Sequence, residues 1–181
     1  MPPSPVLVGL GASLAWLGQP PEATIRAAAR ALSRFGPLTL SPLYDSPAWP
    51  DPSAPPYVNA VGRWETALSP EAALAVLLAT EAAFGRRRSV PNAPRTLDLD
   101  LLAHGDARRA TPTLTLPHPR LAARDFVLLP LLDVAPSWSH PVTGEGAAAL
   151  LGRLGALTAR PRALQRGGGA VDQGAASRAD R

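Results

Sequence analysis

The chain has 181 residues, of which 46% are hydrophobic, and none of them is cysteine. This length and composition predict one globular domain with a core of its own, and they exclude disulfides and thiolate metal sites. No apolar run is long enough for a membrane span, since Glu81 and Arg86 interrupt the best candidate. The apolar stretch 6–18 lacks the Lys or Arg that precedes a signal-peptide core. We therefore expect a cytoplasmic protein without a membrane partner.

The excess positive charge lies at one end of the chain. The net charge is +4 and the isoelectric point is near 10.9, values that would suit a nucleic-acid-binding protein. Residues 1–150, however, hold 12 Arg and 12 acidic residues, so the entire excess falls in residues 151–181. A nucleic-acid-binding module needs basic residues on its folded body with aromatic residues among them. That module is the first alternative function, and the neutral body argues against it.

Hydrophobic patterning predicts an alternation of strands and helices. Apolar or alternating runs predict strands at residues 6–10, 38–44, 57–66, 95–102 and 113–116. Helix-forming runs with start and stop signals predict helices at residues 21–35, 70–84, 119–134 and 147–157. Between them, 11–13 is typical of a turn and 45–56 of a proline-rich loop, and Pro130 is expected to break or kink its helix.

This order of elements predicts the fold class. The order β-α-β-β-α-β followed by C-terminal helices is that of a ferredoxin-like α+β sandwich with an antiparallel sheet. The expected domain covers residues 1–158. The Gly-, Ala- and Arg-rich composition of residues 159–181 predicts a disordered basic tail.

The helix predicted for 70–84 carries a carboxylate on its apolar stripe. A cap, a first-turn proline and an acidic residue mark its N-terminus within Ser69–Glu71. Glu81 shares one face with Leu74, Leu77 and Leu78. A carboxylate on a core-facing stripe requires a partner or a polar cavity.

Two more carboxylates stand two residues apart in the strand predicted for 95–102. Because alternate side chains point to opposite faces, Leu97, Leu99 and Leu101 can enter a core while Asp98 and Asp100 share the other face. Two anions about 6–7 Å apart repel each other unless a cation lies between them. Hard oxygen ligands suit Mg²⁺, which commonly accompanies a nucleotide phosphate chain. An isolated D-x-D can equally be a solvated strand edge.

Several short motifs accompany this pair, and their order is informative. They occupy Gly9–Leu14, Ser41–Pro47, Tyr57–Ala60, Glu81–Arg86, Pro94–Asp100, Pro117–Arg120 and Arg124–Leu131. In this order and spacing the chain resembles the hydroxymethyldihydropterin pyrophosphokinase family of the folate pathway, over about residues 6–142. A dinucleotide site at the N-terminal G-x-G is discarded, because the third glycine and the downstream acid are absent.

The resemblance implies a reaction. An intact pyrophosphate would pass from ATP to the hydroxymethyl group of 6-hydroxymethyl-7,8-dihydropterin, with release of AMP. The resemblance assigns two Mg²⁺ ions to Asp98 and Asp100, and two metal ions can clamp the attacking and leaving oxygens of an in-line displacement. No residue stands out as a general base, so our hypothesis is that a metal ion activates the substrate hydroxyl.

The resemblance also implies the residues that contact ATP. Arg86 and Arg95 would be catalytic contacts to the phosphate chain. The further implied ATP contacts are Glu81, Arg88, Leu101, Thr115, His118 and Arg124. Phosphoryl-type transfer needs mainly positioning and charge neutralisation, which these cations supply. As alternatives, residues 86–88 are helix C-terminal charges favoured by the macrodipole, and His118 is a turn histidine satisfied by backbone.

The pterin site implied by the resemblance is a polar and aromatic set. Its members are Gly11, Ser46, Pro47, Trp49, Tyr57, Asn59 and Phe126. A flat, polar-edged ring stacks on aromatic faces and pairs with an amide that donates and accepts along its edge. Asn59 offers both groups, and strand alternation places it beside Tyr57. Ordinary core packing is the alternative for Tyr57 and Phe126.

The chain departs from the family pattern in a loop. Where the family usually has a tryptophan within W-G-P-R, this chain has Asn92-Ala93-Pro94-Arg95, and Ser13 stands where asparagine is more common. We expect the reaction to survive with weaker or slower substrate closure, and Trp49 is the hypothetical replacement for the missing ring. A relative that binds nucleotide or pterin without catalysis is the second alternative function.

Overall fold

The computed structural model describes residues 5–49, 51–86 and 94–162. The strands are β1 Pro5–Ala12, β2 Leu38–Leu40, β3 Tyr44–Ser46, β4 Tyr57–Glu65, β5 Asp98–His104, β6 Arg109–Ala110, β7 Thr115–Leu116 and β8 Arg160–Pro161. The α-helices are α1 Pro21–Leu32, α2 Pro70–Ala83, α3 Asp125–Val134 and α4 Ala147–Arg153. Two 3₁₀ turns lie at Ser33–Phe35 and Leu121–Ala123. No helix in these ranges has both the length and the apolar character required to cross a bilayer.

One antiparallel sheet organises the molecule. Its strand order is β5-β1-β4-β3-β8, and β2 pairs with a separate stretch of β4. Strands β6 and β7 form a hairpin apart from it. The prediction of an α+β fold with an antiparallel sheet and additional C-terminal helices is thereby confirmed.

Helices cover both faces of the sheet. Alternate residues of β1, such as Val8 and Leu10, pack with the buried faces of α1 and α2 in one core cluster. On the opposite face, Leu7 and Val61 pack with α3 and α4 in a second cluster. The period-two alternation of the central strands therefore divides the core between two helical layers.

The N-terminus of α2 forms as the sequence predicts. The Ser69 hydroxyl accepts the backbone N–H of Ala72 at 3.2 Å, and Pro70 is the first helical residue. The buried face differs from the predicted stripe, because Leu78 is 39% exposed and only Leu77 among the three leucines is fully buried. The buried residues of α2 form a narrower face than the predicted stripe, and they are Pro70, Ala73, Leu77 and Glu81.

Several predicted boundaries are wrong. The single strand expected at 38–44 is divided into β2 and β3. The division falls at Ser41, because there the N–H of Val61 donates to the Ser41 side-chain hydroxyl at 3.0 Å. Strand β1 continues to Ala12 through part of the expected turn. Helix α3 begins only at Asp125 and runs unbroken through Pro130.

The C-terminal boundaries also need correction. Helix α4 ends at Arg153 rather than at residue 157. Residues 159–162, which were expected to belong to the disordered tail, are instead held on the sheet, because β8 pairs with β3 and the N–H of Arg162 donates to the carbonyl of Leu43 at 2.8 Å. Residues 163–181 lie outside the described residues.

Candidate active site

Strand β5 presents its two carboxylates as the alternation predicts. Leu97, Leu99 and Leu101 are at most 4% exposed and belong to the core beneath α1 and α2. Asp98 and Asp100 project from the other face, with 26% and 37% of their side chains exposed. Because the side chain of Leu101 lies in the core, only its backbone could contact a nucleotide bound on the face that carries Asp98 and Asp100.

Glycines in β1 leave room beside these carboxylates. Gly11 pairs with Asp98 and Gly9 with Asp100 across the sheet. A Cβ at Gly11 would lie 3.3 Å from Asn59 Oδ1 and 3.8 Å from the Cβ of Asp98. Gly11 therefore lets the amide of β4 and the carboxylate of β5 approach each other closely, at the junction of the two implied ligand sites.

Three arginines surround the carboxylate pair. Asp98 contacts Arg86 Nη1 at 2.7 Å and Arg95 Nη1 at 3.0 Å. Asp100 contacts Arg124 Nη1 at 3.6 Å. Burial by itself would lower the pKa of Arg95, but the negative charge of Asp98 and contact with Tyr57 raise it above its usual value. The site therefore combines adjacent anions with cations, which suits a charged, metal-bound polyanion.

Glu81 has the partners that its place on a buried face requires. It is 2% exposed, its Oε1 accepts the backbone N–H of Leu99 at 2.7 Å, and it forms an ion pair with Arg86. These bonds attach the end of α2 to β5 and hold Arg86 beside Asp98. In this structure Glu81 is a buried support for the site, and its implied ATP contact stays a prediction.

The segment before β5 is held by a residue that sequence reasoning treated only as a departure. The N–H of Arg95 donates to Ser13 Oγ at 3.1 Å, while the N–H groups of Ser13 and Leu14 donate to the Arg95 carbonyl at 3.0 and 3.1 Å. Thr96 Oγ1 donates to the Phe84 carbonyl at 2.8 Å. Ser13 thus fixes the backbone that carries Arg95.

The residues present fit Mg²⁺. Burial raises the pKa of Asp100, and the negative charge of Asp98 raises it further, against the opposing charges of His118, Arg124 and Arg86. A carboxylate whose ionised form is disfavoured in this way gains most from a bound cation. The described residues contain no cluster of three or more metal-binding His, Cys, Asp or Glu side chains. Two carboxylates are nevertheless sufficient for Mg²⁺, which keeps several waters and takes substrate phosphate oxygens as ligands.

His118 follows β7 and lies close to this cluster. Burial lowers its pKa, although the charge of Asp100 acts in the opposite direction. Its Nδ1 accepts the N–H of Arg120 at 3.1 Å, which assigns the proton to Nε2. The backbone satisfies one ring nitrogen, as a turn histidine would require, and leaves Nε2–H to serve as a donor. Thr115 in β7 is exposed.

The implied pterin residues fall into a buried pair and exposed flanks. Asn59 Nδ2 donates to Ser46 Oγ at 2.9 Å, and both residues are at most 7% exposed. Tyr57 lies two positions from Asn59 along β4. Pro47 is exposed and Trp49 is 73% exposed.

Phe126 and the basic loop complete the predicted set. The guanidinium of Arg124 lies 5.4 Å from the centroid of the Phe126 ring, which is half-buried against the second core cluster. Arg88, and Asn92 in the loop that lacks the tryptophan, lie outside the described residues.

Solved structures of other proteins share this fold. A crystal structure of the Plasmodium falciparum HPPK-DHPS triple mutant S436F/A437G/A613T with STZ-DHP matches with a TM-score of 0.63, at 12% identity. The match covers 83% of this chain and 43% of that one. The wild-type protein with SDX-DHP matches with a TM-score of 0.60, over 82% and 43% of the two chains at 14% identity. At these identities the likeness defines the fold alone.

Sequence relatives define the family. The family model described as 7,8-dihydro-6-hydroxymethylpterin-pyrophosphokinase (HPPK) matches residues 7–136, and the chain belongs to this family. It is 40% identical over 139 residues to the 2-amino-4-hydroxy-6-hydroxymethyldihydropteridine pyrophosphokinase of Pseudomonas aeruginosa, covering 75% of this chain and 83% of that protein. It is 45% identical over 94 residues to the protein of the same name from Synechocystis sp., covering 52% of this chain. The chain spans 48%, about half, of the length of that second relative.

Proposed function

We propose that this protein transfers pyrophosphate from ATP to the hydroxymethyl group of 6-hydroxymethyl-7,8-dihydropterin, in a Mg²⁺-dependent step of tetrahydrofolate biosynthesis. The products are AMP and the pterin pyrophosphate. The observation that carries the proposal is the Asp98/Asp100 pair on one face of β5, surrounded by Arg86, Arg95 and Arg124. Family membership and the names of the relatives support the substrate.

In this proposal Asp98 and Asp100 hold two Mg²⁺ ions. Bound there, the ions would neutralise charge on the triphosphate and polarise its phosphoryl oxygens. Arg86 and Arg95 contact the phosphate chain and stabilise charge as it develops. The remaining ATP contacts are Glu81, Arg88, Leu101, Thr115, Arg124 and the Nε2–H of His118.

The pterin lies on the neighbouring strands. Ser46 and Asn59 contact its polar edge, Tyr57 and Phe126 its faces, and the remaining contacts are Gly11, Pro47 and Trp49. The hydroxymethyl oxygen bonds to the β-phosphorus of ATP while the bond from that phosphorus to the α–β bridging oxygen breaks. The bridging oxygen leaves with AMP, and the hydroxyl proton passes to solvent.

We further propose that the fold is ferredoxin-like. The strand order β5-β1-β4-β3 and the packing of both crossover helices, α1 and α2, into one core cluster support this assignment.

The test is an assay of the full chain with ATP, Mg²⁺ and the reduced pterin. We expect AMP and pterin pyrophosphate in equal amounts, with no AMP when Mg²⁺ is chelated or the pterin is omitted. Release of ADP would indicate single-phosphate transfer and contradict the proposal. Binding of both ligands without release of AMP would identify the non-catalytic relative instead.

A further inference from the structure

One carboxylate outside the implied ligand set is saturated with hydrogen bonds. Asp125, the first residue of α3, is 9% exposed. Its carboxylate accepts the N–H of Phe126 at 2.8 Å, the N–H of Ala159 at 2.8 Å, and both the N–H and the hydroxyl of Thr158, the hydroxyl at 3.1 Å. Three of the four donors belong to a segment more than thirty residues away in sequence.

The segment that Asp125 holds, Thr158–Arg162, is here called the strap. Ala159 is 2% exposed, and the two residues after it form β8, which pairs antiparallel with β3. Arg162 closes the strap, because its guanidinium contacts Asp45 Oδ1 at 2.5 Å and Glu22 Oε2 at 3.5 Å. The strap therefore covers the edge that β3 would otherwise expose.

Strand β3 connects the strap to the substrate side of the site. Ser46 is the last residue of β3, and its hydroxyl accepts the amide N–H of Asn59 at 2.9 Å. At the other end of β3, the hydroxyl of Tyr44 donates to Asp133 Oδ2 of α3 at 2.9 Å. With only three residues, β3 has few bonds of its own, so its position depends on β4, on α3 and on the strap.

We propose that Asp125 is a positioning residue for pterin recognition, acting through the strap and β3 on the Ser46–Asn59 pair. This inference rests on the proposed function. Among the described residues β8 pairs with β3 alone, whereas the Asp98 side of the site is held by Ser13 and Glu81. Loosening the strap should therefore weaken pterin binding and leave ATP binding unchanged.

The test measures KM for each substrate in full-length variants. Asp125→Asn removes one acceptor and the charge, and Thr158→Val removes one donor while keeping the shape. We expect the pterin KM to rise about tenfold in the first and about threefold in the second. The ATP KM and kcat should stay within about twofold of the parent values. The exposed Asp106, changed to Asn, is the matched control and should alter neither constant.

A double variant tests whether the two residues act together. Because the Thr158 hydroxyl acts through Asp125, the rise in the pterin KM of Asp125→Asn/Thr158→Val should be smaller than the product of the two single rises. An unchanged pterin KM in folded Thr158→Val and Asp125→Asn overturns the inference. So does a parallel rise of both KM values with a lower melting temperature, which a merely structural role would produce. If the parent chain itself releases no AMP, the proposed function fails instead.

Discussion

Asp98 is shared by two arginines, and Asp100 faces a third. These guanidinium groups neutralise carboxylates that would otherwise repel each other. In the proposed reaction the same cations would pair with the triphosphate when Mg²⁺ is bound to the carboxylates. On the proposed function, binding of the substrates would therefore exchange one set of charge partners for another.

Neutralising either carboxylate should remove activity while sparing the fold. We expect Asp98→Asn and Asp100→Asn each to lower kcat by about a hundredfold to a thousandfold, because charge stabilisation of the transferred group is lost. Release of AMP measures activity, and calorimetry of an ATP analogue with and without Mg²⁺ measures the metal-dependent part of binding. Asp106→Asn should match the parent, and a fully active Asp98→Asn would refute the assigned metal role.

Glu81 contributes to the stability of the site as well as to its geometry. Glu81→Ala leaves the N–H of Leu99 and the charge of Arg86 without their buried partner, so we expect a loss of about 2–4 kcal/mol in the free energy of unfolding. Urea denaturation measures this loss. Glu71→Ala, an exposed acid in the same helix, is the control and should leave the midpoint almost unchanged. Equal effects of the two changes would contradict the buried role.

Helix α2 links the core to the site, and its packing can be tested at adjacent positions. Leu77 is fully buried, whereas Leu78 is 39% exposed. Leu77→Ala should cost about 2–5 kcal/mol, through lost burial and the cavity that remains. Leu78→Ala should cost about 1 kcal/mol or less, since 39% of Leu78 stays in contact with water and its truncation leaves no enclosed cavity. Thermal and urea unfolding of the pair measure the difference, and similar losses would contradict the inward face described for α2.

The strap attaches the last described residues of the chain to the rest of the molecule. The strength of this attachment depends on pH through Asp125. Burial raises the pKa of Asp125, but N–H donors from Ala159 and Thr158 outweigh this effect and hold the pKa below its usual value. The folded state therefore binds a proton less readily than the unfolded state. The contribution of Asp125 is full above the unfolded pKa and is lost as the pH falls through the folded pKa.

Stability measurements below about pH 4 test this linkage, since the unfolded pKa of Asp is about 3.9. The free energy of unfolding of the parent should fall with decreasing pH more steeply than that of Asp125→Asn. Above pH 5 the variant should be less stable by a constant amount, and the two curves should converge in acid. Parallel curves throughout would show that Asp125 titrates alike in both states.

Much of the site follows from local sequence. The alternation of leucine and aspartate at residues 97–101 predicted which side chains face the core, and the structure confirms it. The cap at Ser69 likewise marked the start of α2. Such features are predictable because strand alternation and helix capping depend on residues only a few positions apart.

Other features depend on contacts between distant residues. Ser13 and Arg95 are 82 positions apart, Glu81 and Leu99 are 18 apart, and Asp125 and Ala159 are 34 apart. The break between β2 and β3 and the docking of the strap arise from pairings of this kind. Hydrophobic periodicity along the sequence does not predict such long-range pairings.

Motif order and residue chemistry were enough to assign the family and to place two carboxylates on one strand face. Both depend only on how far apart residues lie along the chain. Which arginines meet which aspartate, how Glu81 is buried and where the C-terminal segment docks depended on folding. These contacts join strands and helices that are brought together only when the sheet pairs and its two helical layers close over it.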